Sequence, residues 1–221
     1  MTEAVIFDMD GLLVDSEPYW RVAEQNVFGR LSKAPGENEF EKMMGNRIQE
    51  VIRSWYEKNP WENFSPEQTQ QEIVEEVHRL VIAHASLLPG VQEIFSFFRS
   101  RNIPVALASS SPYALIESLM HHYGLIGHFK TVHSAENEPY GKPHPAVFIT
   151  TAYKLGIDPQ KCLVFEDSFN GIIAAKAARM KCVAVPAKEH FAQERFSAAD
   201  MKLKSLLEFT EEKWRAVSDE Y

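Results

Sequence analysis

Ala4-Val-Ile-Phe-Asp-Met-Asp-Gly11 is the stretch on which the reading of the fold turns. Four consecutive apolar residues, two of them β-branched and one aromatic, are too few for a helix and match a strand buried on both faces. The run stops at Asp8, with a second acid at Asp10 and then Gly11. In an extended chain residues i and i+2 point to the same side, so the two carboxylates leave the sheet as neighbours. Adjacent carboxylates repel, and the pair persists only with a cation or a proton to separate their roles. One can then stay ionised as a nucleophile while the other exchanges a proton as general acid and base.

Further runs of the same kind follow along the chain. Ile103-Pro-Val-Ala-Leu-Ala108 leads into Ser109-Ser-Ser111, and Thr131-Val-His-Ser134 is a weaker strand signal. Leu163-Val-Phe165 ends at Glu166-Asp167, and Val183-Ala-Val185 precedes Pro186. Helix-length segments between such runs predict an α/β fold with a Rossmann-like, doubly wound parallel sheet. The gap between the first two strands is far longer than one crossover needs. Tyr19 through Leu31 and Phe40 through Lys58 read as helical, and Ser65-Pro-Glu-Gln68 combines an N-cap, a proline at the first helical position and a capping-box partner. Ile73, Val77, Leu80, Val81 and His84 follow on one helix face. The expected organisation is an α/β core of residues 1–15 and 87–221 with an all-helical insert at 16–86, rejoined at Leu87-Leu-Pro-Gly90. Gly124 and Gly156 stand where helices end on glycine.

The 221 residues carry a formal charge of −8, with 45% hydrophobic and 24% charged residues, an ordinary globular composition. That charge argues against a nucleic-acid or anionic-membrane surface, yet allows a small phosphorylated ligand held by a few local cations. No apolar stretch approaches the ~20 residues of a membrane span, and Met1-Thr-Glu-Ala lacks the basic start of a signal peptide. A cytoplasmic monomer is expected. Cys162 and Cys182 sit inside apolar runs and read as reduced core thiols. His121, His122 and His144 have no partner at a metal-ligand spacing and read as structural or solvent-facing.

In open α/β sheets ligands bind beyond the carboxyl ends of the strands, and the conspicuous polar residues fall at those ends. Asp8 ends the first strand, Ser109 the second and Glu166-Asp167 a later one, while Lys142 lies in a Gly141-Lys-Pro143 loop after the third. Hard oxygen ligands at this density suit Mg²⁺. The alternative for Asp167 or Ser168 is capping of the helix through Ile172, Ile173 and Ala177. A serine hydroxyl, nearby backbone N–H groups and one lysine make a cradle for a phosphoryl group, although each alone is equally a turn or surface residue.

Four segments, Phe7-Asp-Met-Asp-Gly-Leu-Leu-Val-Asp-Ser-Glu17, Leu107-Ala-Ser-Ser-Ser111, Gly141-Lys-Pro-His-Pro145 and Phe165-Glu-Asp-Ser-Phe-Asn-Gly171, occur in order along nearly the whole chain. In these the chain resembles the haloacid dehalogenase superfamily of phosphatases, in the small-helical-cap branch that holds β-phosphoglucomutases and sugar-phosphate phosphatases. The resemblance implies that Asp8 attacks phosphorus to form an aspartyl-phosphate. It implies that Asp10 protonates the leaving alkoxide and then activates water. Ser109 and the Ser110 N–H would hold phosphoryl oxygens, and Lys142 would bridge Asp8 and the phosphoryl group. Mg²⁺ would be bound by Asp8, the backbone carbonyl of Asp10, Asp167 and Glu166. The charges agree with the need for a cation: at ~4 Å a unit pair interacts by about 4 kcal/mol at an effective dielectric near 20, and one lysine cannot offset four carboxylates.

Mutases of this branch carry a histidine where this chain has Trp20, and Ser16-Glu-Pro-Tyr-Trp20 looks more like hexitol and 2-deoxyhexose phosphate phosphatases. Hydrolysis of small phosphate monoesters is therefore expected over a sugar-phosphate mutase activity. A phospho-accepting signalling domain is the non-enzymatic alternative, opposed by the Asp8-x-Asp10 pair and the long helical insert. In the cap, Gly45-Asn-Arg47 resembles an element that faces the substrate in relatives, which nominates Arg47, with a surface ion pair as its alternative; Trp20 reads mainly as core of the helical insert, with stacking on a sugar ring as the alternative.

Overall fold

A computed structural model describes residues 2–218; Met1 and residues 219–221, at the two ends of the expected core, lie outside the described residues. Six parallel strands form one sheet: β1 (Ala4–Phe7), β2 (Val105–Ser109), β3 (Thr131–Ser134), β4 (Cys162–Glu166), β5 (Lys181–Ala184) and β6 (Met201–Lys202). Their order across the sheet is β3-β2-β1-β4-β5-β6, so β1 lies at the centre between β2 and β4. Side chains alternate between two apolar layers. Val5, Phe7, Leu107, Leu163, Phe165 and Val183 face one layer, and Ala4, Ile6, Ala106, Ala108, Cys162 and Val164 face the other. Phe7 and Phe165 are register partners whose rings stack at 4.8 Å. Burial on both faces is why these strands read as unbroken apolar runs rather than alternating ones. Both cysteines are free and buried in the sheet, and burial pushes the Cys162 thiol up to about 12.

Of the five helices between β1 and β2, the first four form the helical part: α1 (Glu17–Leu31), α2 (Glu37–Met43), α3 (Ile48–Lys58) and α4 (Pro66–His84). They pack on each other through Ala23, Val27, Phe28, Ile52, Trp55, Ile73, Val77 and Val81. The two chain segments joining them to the sheet run side by side: Asp15 N–H donates to Ser86 O at 3.0 Å and Leu88 N–H to Leu13 O at 3.0 Å. The remaining helices, α5 (Val91–Arg99), α6 (Tyr113–His122), α7 (Ala146–Leu155), α8 (Phe169–Ala177) and α9 (Glu211–Ser218), belong to the part that contains the sheet. Gly156 caps α7 at φ 73°, and Gly124 follows α6 at φ 69°.

Three local expectations are corrected. The helix read from Phe40 to Lys58 is two helices, broken at Met44–Arg47, where Gly45 adopts φ 79°. The Ser65 capping box forms only in half: Ser65 Oγ accepts from Gln68 N–H at 3.3 Å, but the Gln68 side chain bonds Glu72 at 3.1 Å. A sixth strand, too short to leave a periodic signal, pairs with β5 at the sheet edge.

Candidate active site

The chain leaves β1 towards one side and β4 towards the other, which opens a crevice above their carboxyl ends. Asp8 and Asp10 enter it from β1, Ser109 from the end of β2, Lys142 from the loop before α7, and Glu166 and Asp167 from β4. All six line up as the sequence orders them, and five of them (Asp8, Ser109, Lys142, Glu166 and Asp167) are buried.

Lys142 is the hinge of the acidic cluster. Its Nζ donates to Asp8 Oδ1 at 2.7 Å and to Glu166 Oε1 at 2.5 Å, with the Phe148 ring 5.0 Å away. Burial alone would depress this ammonium, but the carboxylates of Asp8 and Glu166 outweigh it and hold the proton firmly. The second oxygen of Glu166 accepts the Ser168 N–H at 2.8 Å and the Ser168 hydroxyl at 3.0 Å. Ser168 Oγ in turn accepts from Gly171 N–H at 3.0 Å and caps α8, so the capping role falls to Ser168 and leaves Asp167 free. Two glycines make the close approach possible. A Cβ on Gly171 would collide with the Glu166 carboxylate, and one on Gly11, which sits at φ 69°, would collide with that of Asp167.

Asp8, Glu166 and Asp167 each offer one oxygen, all within 4.8 Å of one another. Burial, then repulsion from Glu166, Glu17 and Asp8, raises Asp167 well above the carboxylate range. Asp8 is raised as well, because burial and the charges of Glu166 and Asp10 outweigh the pull of Lys142. Buried hard oxygens whose repulsion exceeds what one ammonium can offset are a donor set that fits a divalent cation such as Mg²⁺. The Asp10 side chain is outside this trio.

Asp10 is instead held by hydroxyl and indole donors from two segments. Ser16 Oγ donates to its Oδ1 at 2.6 Å and Trp20 Nε1 at 3.0 Å, while Ser111 Oγ donates to Oδ2 at 2.7 Å and Ser109 Oγ at 3.4 Å. The carboxyl is thereby fixed beside Asp8 in one orientation. Trp20 was nominated for stacking; its polar edge is engaged by Asp10. Ser16 and Ser111 carried no signal beyond their place in the Ser16-Glu17 and Ser109-Ser-Ser111 segments.

The helical part closes over this crevice. Ser110 Oγ donates to Gly45 O at 2.7 Å, and Asn170 Nδ2 donates to Met44 O and Asn46 Oδ1, each at 3.0 Å. α1 presents Glu17, Trp20, Arg21 and Glu24 to the cleft, and Phe40, Met43, Ile48 and Val51 form its apolar wall. Sequence reasoning passed over Glu17 and Glu24, although their spacing from Trp20 and Arg21 marks one helix face. Arg47 does not line the cleft. Its Nη1 donates to Glu138 O at 2.7 Å and Ala135 O at 3.1 Å, and its Nη2 pairs with Glu50 at 2.6 Å. Glu50 also accepts the Gly141 N–H at 3.0 Å, so the pair clasps the loop that leads to Lys142. Both terminal nitrogens of the guanidinium are thus engaged within the protein, while Nε has no partner among the described residues.

Residues 2–179 match the haloacid dehalogenase-like hydrolase family. The chain is 43% identical over 208 residues to hexitol phosphatase B of Escherichia coli strain K12, covering 94% of each chain. It is 32% identical over 181 residues to the fructose-1-phosphate phosphatase of the same organism, covering 82% of this chain and 95% of the relative. A solved β-phosphoglucomutase from Clostridium difficile matches with TM-score 0.82 at 25% identity over 100% of this chain and 99% of the other. CbbY of Rhodobacter sphaeroides in complex with phosphate, at TM-score 0.84 and 24% identity over 94% of this chain and 96% of the other, shares the fold. The chain therefore belongs to the haloacid dehalogenase-like hydrolases, and within them to the phosphatases.

Proposed function

We propose that this phosphatase is a Mg²⁺-dependent cytoplasmic enzyme that hydrolyses sugar or sugar-alcohol monophosphates through an aspartyl-phosphate on Asp8. The observation that carries the reading is the division of labour between the two aspartates. Asp8 shares its Oδ1 with Lys142 beside Glu166 and Asp167, whereas Asp10 is tethered by Ser16, Trp20, Ser109 and Ser111 and takes no part in that trio.

The Asp8 oxygen that Lys142 leaves free attacks phosphorus as the P–O bond to the sugar breaks, and Asp10 gives its proton to the departing alkoxide. Asp10 then takes a proton from water, whose oxygen displaces Asp8 from phosphorus, so that inorganic phosphate leaves and both aspartates are restored. Lys142 balances charge on the attacking side, and Ser109 and the Ser110 N–H hold phosphoryl oxygens. Asp8, Glu166, Asp167 and the backbone carbonyl of Asp10 would hold Mg²⁺, which supplies the positive charge that lets a phosphate dianion approach the carboxylates. The substrate class is supported by the likeness to the hexitol and fructose-1-phosphate phosphatases.

The test is phosphate release over hexitol phosphates, hexose phosphates, nucleotides and phosphoglycolate with Mg²⁺, beside an isomerisation assay on β-glucose 1-phosphate. Preferential release from hexitol or hexose phosphates, abolished by EDTA and by Asp8→Asn, is expected. Full turnover by either inactivated preparation, or isomerisation without phosphate release, overturns the reading.

A further inference from the structure

We propose that Glu24 is a specificity-determining residue whose carboxyl group hydrogen-bonds a hydroxyl on the carbon chain of the substrate; this rests on the sugar-phosphate reading above. Glu17, Trp20, Arg21 and Glu24 share one face of α1, and all four line the cleft that contains Asp8 and Asp10. Three of them already have work. The Trp20 indole is bonded to Asp10, Arg21 is paired with Glu37, and Glu17 packs beside Gly11 and Asp167 at the metal-binding end.

Glu24 is different. It is only 7% exposed, yet its carboxyl forms no hydrogen bond or ion pair among the described residues. Buried polar groups are nearly always partnered, and one left open towards a binding cleft marks a place for a ligand group. The wall that α2 and α3 contribute to the same cleft is apolar at Phe40, Met43, Ile48 and Val51, with Asn46 in the turn between them as its polar member. A largely apolar wall in the same cleft as a buried carboxyl suits a polyol, whose C–H edge packs on the wall while a hydroxyl meets the carboxyl. Glu24 stands one helical turn beyond Trp20, an axial rise of about 6 Å, so the hydroxyl it meets is several bonds from the ester oxygen that Asp10 protonates.

Burial, then the charge of Glu17, pushes the Glu24 carboxyl up to about 8 despite Arg21. A neutral acid both donates and accepts, and adds no repulsion to an incoming phosphate.

The test compares kcat/KM for glucitol 6-phosphate and for butyl phosphate, which has no hydroxyl, in wild type, Glu24→Gln and Glu24→Leu. The expected result is that the preference for glucitol 6-phosphate falls at least about tenfold in Glu24→Leu and stays within about threefold in Glu24→Gln, since an amide also donates and accepts. A preference equal in all three proteins overturns the assignment of Glu24 and leaves the substrate reading standing. A wild type that cleaves butyl phosphate but not glucitol 6-phosphate overturns both.

Discussion

Replacing Glu24 by Gln tests the electrostatics of the cleft without touching the acidic cluster. Glu24 is 7% exposed, and its carboxyl is raised from an ordinary 4.5 to about 8 by burial first and Glu17 second. The folded protein therefore binds this proton more tightly than the unfolded chain does. Stability is unaffected below the unfolded value, and it is lost progressively as the pH rises from there towards 8. With one proton differing between the two states, the slope approaches about 1.4 kcal/mol per pH unit, and integration between pH 5 and pH 7 gives a loss of about 2.5 kcal/mol. Glutamine has the same shape and no charge to bury, so Glu24→Gln gains that amount on wild type over the interval. At 221 residues this corresponds to roughly 5–10 °C in Tm. Urea unfolding of both proteins at pH 5 and pH 7, without divalent ion, measures it, because the titration of Asp8 and Asp167 is common to both and cancels in the difference. A difference between wild type and Glu24→Gln that is the same at the two pH values would refute the reasoning.

Two further expectations concern the reacting groups. Trp20→Phe removes the 3.0 Å indole donor from Asp10, a charge-assisted bond of the kind that contributes about 1.5–3 kcal/mol. Turnover of alkyl phosphates should then fall roughly tenfold, and that of p-nitrophenyl phosphate, whose leaving group needs no proton, should fall less; an equal fall on both esters contradicts a positioning role for Trp20. Saturating Mg²⁺, at about a hundred times its dissociation constant, should stabilise the wild type by about 2.7 kcal/mol. Asp167→Asn should lose most of that gain in a thermal melt, and an undiminished shift would remove Asp167 from the metal site.

The helical part and the part that contains the sheet are hydrogen-bonded to each other beside the cleft. Hydrogen bonds from Ser110 and Asn170 to the Met44–Asn46 turn and from Arg47 to the loop before Lys142 cross the cleft mouth.

The central strands and the acids at their ends were legible in the sequence because each is a local signal. A strand buried on both faces must be apolar throughout, and its run must end where the chain meets the crevice, so Ala4–Phe7 announces Asp8, and Leu163–Phe165 announces Glu166. What the tertiary structure decided is everything that depends on distant segments meeting. The turn at Gly45 interrupts a stretch of good helix formers because the helical part docks there on Ser110, Ser168 and Asn170. The role of Arg47 depends on the carbonyls of Ala135 and Glu138, some ninety positions away, and a guanidinium carries no local mark of which oxygens it will meet. The grip on Asp10 is assembled from Ser16, Trp20 and Ser111, three side chains that are unremarkable alone. Backbone periodicity is written residue by residue, whereas the partners of a polar side chain are chosen by packing, and only the folded chain brings them within hydrogen-bonding range.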